Sequence, residues 1–424
     1  MLNNFSIDAV NRSTFRETLR KPLYESYCFS KIPDTIKKLL GIKSLNPLPG
    51  DCIKKNEVYD DVILFFIDGF GWVFLEKNQE SQPFLQRIIE KGIVSKITSQ
   101  FPSTTACHVT TMNTGLPVSE TGIYEWFYYE PKLDDVIVPF LFSFAGDKNS
   151  GSIEKTGIPP EEIYPFATFY EDLEKQGVES YVLEDEHIVD SIYSKTLLRG
   201  AKSISFRNLE DALQKLSNLL LEPSSKKRYF YIYIEDIDSA GHRNGTYSSE
   251  FQNSINYVFT HLESWVLRIQ NKLQRKTAYL LTADHGMIDI DPKTTVYLNE
   301  EFPKCKEFIQ KNRQGKLLAP AGSSRDFFLH VQPELLTKAK SELQEFLGDK
   351  AIVCETKELL DNSVFGVTPS LRLLERLGNL VLLPKDHNSI WWHEKNRFAQ
   401  HFYAMHGGLS KQEMETIFLF FSMN

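Results

Sequence analysis

The chain has 424 residues, with 48 Lys+Arg against 56 Asp+Glu and a formal charge of −8. A hydrophobic content of 42% with 25% charged residues is that of a globular protein, which excludes disorder as the main state. The acidic balance excludes a nucleic-acid scaffold working through a broad basic field, and leaves room for local sites that hold small phosphorylated ligands.

In chain order, residues 16–40 predict a helix or two, followed by the Pro/Gly loop Asn46-Pro47-Leu48-Pro49-Gly50. Residues 61–67 (DVILFFI) form a near-continuous apolar run, the pattern of a strand buried on both faces of a parallel sheet. A helix over 82–91 and a strand over 93–97 follow. The alternation continues with a helix over 166–176, a strand over 179–183 and an apolar-periodic helix over 209–221. A buried strand over 228–234, a long helix over 251–273 and a buried strand over 277–282 complete it. Strands alternating with helices predict βαβ units and a doubly wound α/β sheet.

After residue 291 the texture changes to a small strand–helix–strand–helix–strand unit. Residues 292–400 are therefore expected to form an inserted α+β cap. Residues 1–291 are expected to form the main core, and 401–424 to return to it through a buried strand over 416–421. Five Cys at 28, 52, 107, 305 and 354, with no CxxC, suit neither a disulfide framework nor a zinc knuckle. The first twenty residues lack the apolar stretch of a secretory leader. The longest apolar runs, 62–67 and 136–144, are far below the roughly 20 residues of a membrane span. A cytoplasmic location with no membrane span is the resulting expectation.

Polar residues collect where the three buried strands end. Asp68 follows the first, Asp238 and His242 the second, and Asp284 and His285 the third. Ligands of open α/β sheets gather at the carboxyl ends of strands, so these side chains can converge. Carboxylate with imidazole is the donor chemistry of zinc and neighbouring metals. His406, followed by Gly407-Gly408, is a sixth candidate. A single DxxxH is weak, and an Asp at a strand end is more often a helix cap. The weight lies in three strand ends carrying the same chemistry. Upstream, Pro102-Ser103-Thr104-Thr105 precedes a short predicted helix over 106–113 closed by Gly115. A hydroxyl there is ordinarily an N-cap; beside bound metals it becomes a usable nucleophile.

With these pieces in this order, the sequence resembles the alkaline phosphatase superfamily, in its branch of type I phosphodiesterases and nucleotide pyrophosphatases. The matching pieces are Asp68-Gly69, Pro-Ser-Thr-Thr with Thr114-Gly115, Asp238-x-x-x-His242, Thr282-Ala-Asp284-His285-Gly286 and His406-Gly407. The resemblance implies a three-layer α/β/α core with a mostly parallel sheet. It also implies two divalent ions, zinc in most of the family. One would sit on Asp238, His242 and His406, the other on Asp68, Asp284 and His285. The implied reaction is hydrolysis of a small phosphodiester or nucleotide through a phospho-threonine. The spacing to Thr114-Gly115 makes Thr105 the nucleophile, whereas aligning on His108 makes it Thr104. One departure concerns substrate: Trp126 stands where the family usually has a phosphate-holding Asn. Trp126 and Arg325 are the substrate-contact candidates. The alternatives are a phosphomonoesterase or phosphonate hydrolase on the same metals, or a non-catalytic binding protein on this fold.

Overall fold

In the computed structural model, which describes every residue except Glu17, Lys148 and Asn424, seven strands form the central sheet. They are β1 Asp61–Ile67, β2 Ile93–Thr98, β3 Val178–Asp185, β4 Ala201–Phe206, β5 Lys227–Ile234, β6 Thr277–Thr282 and β7 Glu415–Met423. Their order across the sheet is β2-β7-β6-β1-β5-β3-β4. β1 pairs in parallel with both β5 and β6, and β3 pairs in parallel with β5 and β4. β7 alone runs against its neighbours β6 and β2.

All seven residues of β1 are buried, because each face of the strand has its own core. Val62, Leu64 and Phe66 join one apolar cluster and Ile63, Phe65 and Ile67 the other. Three helices matter for the first face: α1 Thr105–Thr114, α2 Phe169–Lys175 and α3 Ile192–Leu197. Three more succeed them: α4 Leu209–Leu221, α5 Asp236–Asn244 and α6 Ser249–Ile269, of which α4 and α6 cover the second face. Caps fix several of these helices. Thr168 and Glu171 form a reciprocal capping box on α2, Asn208 accepts from the Asp211 N–H on α4, and Ser248 accepts from the Phe251 N–H on α6. At the amino edge of the sheet, Asp61 accepts two 2.8 Å bonds from Arg228 and is also bonded by Arg275. That charged clamp pins β1 to β5 on the side away from the strand ends that matter below.

Residues 321–384 build a second, four-stranded antiparallel sheet from Ala321–Gly322, Phe327–Leu329, Leu380–Pro384 and Ala351–Glu355. A three-stranded sheet of Tyr128–Glu130, Asp135–Val138 and Ser143–Phe144 lies beside it, through a Phe127–Gly322 bridge. The apolar cluster of the second sheet includes Val136 and Ala145, so segments of the 124–145 region pack with it as well.

Two local expectations change. Of the helix or two expected over 16–40, the described residues form Ile32–Leu39, preceded by a 3-10 turn at Phe29–Lys31, and a separate helix lies at Asn4–Arg12. Between them Pro22 interrupts, and the chain is held to β2 instead: the Leu23 N–H donates to Thr98 Oγ1 at 2.9 Å and the Thr98 N–H to the Tyr27 carbonyl at 2.8 Å. β4 and α3 were not apparent in the sequence. β4 is an edge strand with exposed Lys202, Ser203 and Ser205, so it lacks the apolar run that marks the others.

Candidate metal centre and active site

The parallel strands β6, β1 and β5 are neighbours, so their carboxyl ends open on one side of the sheet. Asp68 follows β1, Asp238 and His242 lie on α5 directly after β5, and Asp284 and His285 follow β6. β7 runs antiparallel to β6, so the chain entering it arrives at this same edge and brings His406. β2 is antiparallel to β7, so its exit also lies there and leads to Thr105 at the first position of α1. Six candidate ligands and the hydroxyl are therefore assembled by sheet topology.

The distances bear this out. His285 Nε2 lies 3.1 Å from Asp284 Oδ2 and 3.6 Å from Asp68 Oδ1. His242 Nε2 is 3.2 Å from Asp238 Oδ2, and His406 Nε2 is 3.8 Å from Asp238 Oδ1. Ligand atoms of Asp68, Asp284 and His285 lie within 4.8 Å of one another, as do those of Asp238, His285 and His406. His285 thus reaches both groups, its ring stacked on that of His406 at 3.6 Å. The glycine at 69 has φ of +73°, and a Cβ there would stand 3.0 Å from that of Asp238. Gly69 is required for the two carboxylates to approach.

The donor set fits a cation. Nδ1 of His242, His285 and His406 faces the carbonyls of Ala404, Gly286 and Ser103 at 2.7, 3.0 and 3.0 Å. A carbonyl only accepts, so Nδ1 carries the proton and Nε2 presents its lone pair to carboxylates. With Nε2 unprotonated, acceptor faces acceptor, and a bound cation between them makes that arrangement favourable; without one, Asp238 raises the pKa of His242 and Asp284 that of His285 against the opposing effect of burial, so that a proton serves instead. Asp238 Oδ1 and Asp284 Oδ2 are buried without a hydrogen-bond partner. Burial, then the charges of Asp284 and Asp238, pushes the Asp68 carboxyl well above the usual range. For Asp238 burial acts upward too, but His242, His406 and His285 outweigh it and bring the pKa to about 2. Burial depresses His406, and His285 adds to the effect.

Thr105 Oγ1 lies 3.4 Å from each oxygen of Asp68 and 3.2 Å from His285 Nε2. Thr104 is the N-cap residue of α1; its carbonyl accepts from Nδ1 of buried His108 at 2.7 Å. His108 Nε2 in turn accepts the Gln100 N–H at 2.9 Å, and burial lowers its pKa to about 4, so it is a neutral strut for this turn. Of the two threonines, Thr105 is the one whose hydroxyl meets the ligand cluster.

A cavity of about 900 Å³ opens from this cluster, lined by Thr105, Asp68, His242 and His406 together with aromatic side chains. Trp126, 38% exposed, stands in its wall with its ring edge-on to Phe140 at 5.8 Å. Arg325 does not reach the cavity, contrary to the sequence expectation. It is 1% exposed; Nε and Nη2 donate to Glu413 at 3.0 Å each, and Nη1 donates to the Asp386 carbonyl at 2.9 Å. Its guanidinium is fully used in docking the second sheet onto the segment that carries His406.

Sequence reasoning missed Tyr233, whose hydroxyl donates to Asp68 Oδ2. The alternation Tyr229, Tyr231, Tyr233 in β5 was the available signal. It also missed two buried carboxyls, Glu125, which lines the cavity, and Asp326, which lies behind it. Burial lifts Glu125 to about 7, and burial followed by Glu125 itself lifts Asp326. Glu125 Oε1 and Asp326 Oδ2 are both buried without a hydrogen-bond partner, and the charge of Glu125 favours the protonated form of Asp326.

The family model for type I phosphodiesterase / nucleotide pyrophosphatase matches residues 62–409, a span that holds every candidate ligand. The chain belongs to this family. Its mixed α/β core with a large, mostly parallel central sheet is that of an alkaline-phosphatase-like fold. Ectonucleotide pyrophosphatase/phosphodiesterase family member 3 of Mus musculus is 24% identical over 283 residues, covering 65% of this chain and 30% of that protein. Venom phosphodiesterase CdcPDE of Crotalus durissus collilineatus is 25% identical over 253 residues, covering 58% and 29%. The chain thus spans under a third of the length of these curated relatives. Among solved structures, an inactive threonine-to-alanine variant of murine ectonucleotide pyrophosphatase/phosphodiesterase 5 with AMP superposes with a TM-score of 0.64. It is 17% identical and covers 85% of this chain and 87% of that one. None of the described helices of the chain is long and apolar enough to cross a membrane.

Proposed function

We propose that the chain is a metal-dependent hydrolase of small phosphodiesters or nucleotide pyrophosphate bonds, with Thr105 as nucleophile. The observation that carries this reading is Thr105 Oγ1 placed 3.4 Å from Asp68 and 3.2 Å from His285, at the floor of the cavity. Asp238, His242 and His406 would hold one divalent ion; Asp68, Asp284 and His285 would hold a second. With all three carboxylates ionised and all three imidazoles neutral, the form that ligates a metal, the cluster carries −3, which two divalent cations would offset. Zinc is the proposed metal, since imidazole and carboxylate suit it. When bound, such ions lower the pKa of a hydroxyl and balance charge on phosphoryl oxygens.

This chain's own residues do the rest. Asp68 and His285 orient the Thr105 hydroxyl, and the amino end of α1 lends its positive field to the incoming phosphate. The threonine oxygen bonds to phosphorus as the bond to the leaving oxygen breaks in line, and the leaving alcohol takes up a proton. Water then attacks the phospho-threonine, the threonine O–P bond breaks, and the hydroxyl regains its proton. The volume and aromatic walls of the cavity favour a diester carrying organic groups on both sides over a simple monoester. The relative solved with AMP supports a nucleotide as one such ligand.

The deciding experiment compares bis-p-nitrophenyl phosphate with p-nitrophenyl phosphate, with zinc and after EDTA. Faster hydrolysis of the diester, lost on chelation and restored by metal, is expected. Faster hydrolysis of the monoester makes the chain a phosphatase. Absence of both activities at full metal loading makes it a binding protein.

A further inference from the structure

Ser103 stands two residues before Thr105, in the turn that leads from β2 into α1. All of its polar groups are committed to residues 406–408. Its N–H donates to the Gly407 carbonyl at 3.2 Å, closing an isolated antiparallel bridge. Its carbonyl faces Nδ1 of His406 at 3.0 Å. Its hydroxyl donates to the Gly408 carbonyl at 2.7 Å and accepts the Gly407 N–H at 3.1 Å. The residue is fully buried, so a partner lost here is not replaced by solvent.

The other side of the same segment is closed as well. Gly407 has φ of +122°, and a Cβ there would stand 2.6 Å from Ser323 Oγ and 2.7 Å from Asp326 Oδ1. Ser323 Oγ also lies 3.3 Å from the His406 carbonyl. The chain that carries His406 therefore runs in a slot, with Ser103 on one side and the second sheet on the other. The three candidate imidazoles differ in what orients them. Nδ1 of His285 faces the carbonyl of its own neighbour Gly286, and Nδ1 of His242 faces that of Ala404. Only His406 is oriented from the turn that carries the nucleophile candidate.

We propose that Ser103 is a positioning residue for the ion on Asp238, His242 and His406. Its carbonyl holds the proton of His406 on Nδ1, and its hydroxyl holds the backbone behind the ring, so that Nε2 is aimed at Asp238, 3.8 Å away. This rests on the metal-dependent hydrolase reading above. Removing the hydroxyl leaves the Gly407 N–H and the Gly408 carbonyl to find new partners in a buried slot. The segment then shifts, and the imidazole loses its aim. Because Thr105 lies on the same turn as Ser103, one residue keeps a metal ligand and the nucleophile in register.

The test is zinc affinity, read by chelator competition on the full chain without substrate. Ser103→Ala is expected to weaken one of two ions about 10–100-fold and to leave the other within about threefold. In His242→Ala, which keeps the ion on Asp68, Asp284 and His285, adding Ser103→Ala is expected to change affinity by less than about threefold. Two unchanged affinities in Ser103→Ala overturn the proposal and leave the hydrolase reading standing. Equal weakening of both ions overturns it too, because a general loss of structure acts on both. Arg275→Met, which loosens the Asp61 clamp at the opposite end of the sheet, is expected to keep both affinities; the same one-ion loss there overturns the proposal. A measurement on the unsubstituted protein holds even if Ser103→Ala fails to fold: zinc is expected to slow hydrogen exchange about tenfold at the Ser103 and Gly407 amides together. Protection of Gly407 without Ser103 overturns the proposal. Absence of zinc binding in the unsubstituted protein overturns both readings. If the one-ion split is found but neither p-nitrophenyl ester is hydrolysed at full loading, the hydrolase reading falls and the role of Ser103 stands.

Discussion

Arg325 Nε and Nη2 each lie 3.0 Å from an oxygen of Glu413, and both side chains are excluded from solvent. Glu413 also accepts the Gly408 N–H at 3.0 Å, two residues beyond the candidate ligand His406. Burial acts to raise the Glu413 carboxyl, but Arg325 outweighs it and holds the pKa below the usual range. The pair ties the second sheet to the segment that carries His406.

Breaking that pair leaves one buried charge without its partner. Arg325→Met and Glu413→Gln are each expected to cost about 3–5 kcal/mol of stability. Arg325→Lys recovers little, because a point charge cannot replace the two-pronged contact. Urea unfolding measures the loss. KM for a diester, measured well below the unfolding midpoint, stays within about twofold; a large rise in KM would instead return Arg325 to the substrate.

Thr105→Ala removes the only hydroxyl among the described residues that contacts both Asp68 and His285. The expected loss in kcat/KM on bis-p-nitrophenyl phosphate is about 10³-fold or more. Thr104→Ala keeps the backbone carbonyl that His108 holds, so its activity stays within about tenfold of the unsubstituted protein. Comparable losses in both variants would remove Thr105 as the nucleophile.

Chelation should abolish hydrolysis and also lower stability. Above the pKa values of the histidines, lone pairs of three imidazoles face carboxylates without a cation between them. A metal present at 100 times its Kd adds about 2.7 kcal/mol. Differential scanning fluorimetry with EDTA and then zinc reads this shift. Elemental analysis should find two ions per chain, and one after His242→Ala. An unchanged Tm on complete metal removal, confirmed by elemental analysis, argues against the site.

Glu184 makes stability depend on pH in a direction set by its pKa, which burial raises from 4.5 to about 7. A carboxyl raised on folding contributes fully below about 4.5, and that contribution is lost as pH rises through 7. Glu184→Gln, which cannot ionise, should leave stability nearly unchanged at acid pH and increase it by about 1–3 kcal/mol at pH 8. Denaturant midpoints at pH 5, 6.5 and 8, without ligand, check this. A difference that stays constant across the series contradicts it.

Much of the core was legible because its strands are buried on both faces. β1, β5 and β6 have no solvent side, so each reads as an apolar run, and the polar residues that end each run mark the edge where ligands meet. α4 and β6 fall at the bounds expected from periodicity alone. β4 escaped because an edge strand with exposed alternate residues carries no such run.

The sequence by itself determined the class of sheet, the chemistry of the six candidate ligands and their order along the chain, because residue type and local period are one-dimensional properties. Tertiary structure decided which hydroxyl meets Asp68, since Thr104 and Thr105 differ only in the direction the first turn of α1 gives them. It decided that Arg325 belongs to Glu413, 88 residues away, rather than to a ligand. It alone set the charge of Glu125 beside Asp326 and left Glu184 Oε2 without a hydrogen-bond partner among the described residues. Those facts rest on contacts between segments distant in the chain, which only the docking of the second sheet and the lateral order of the strands create.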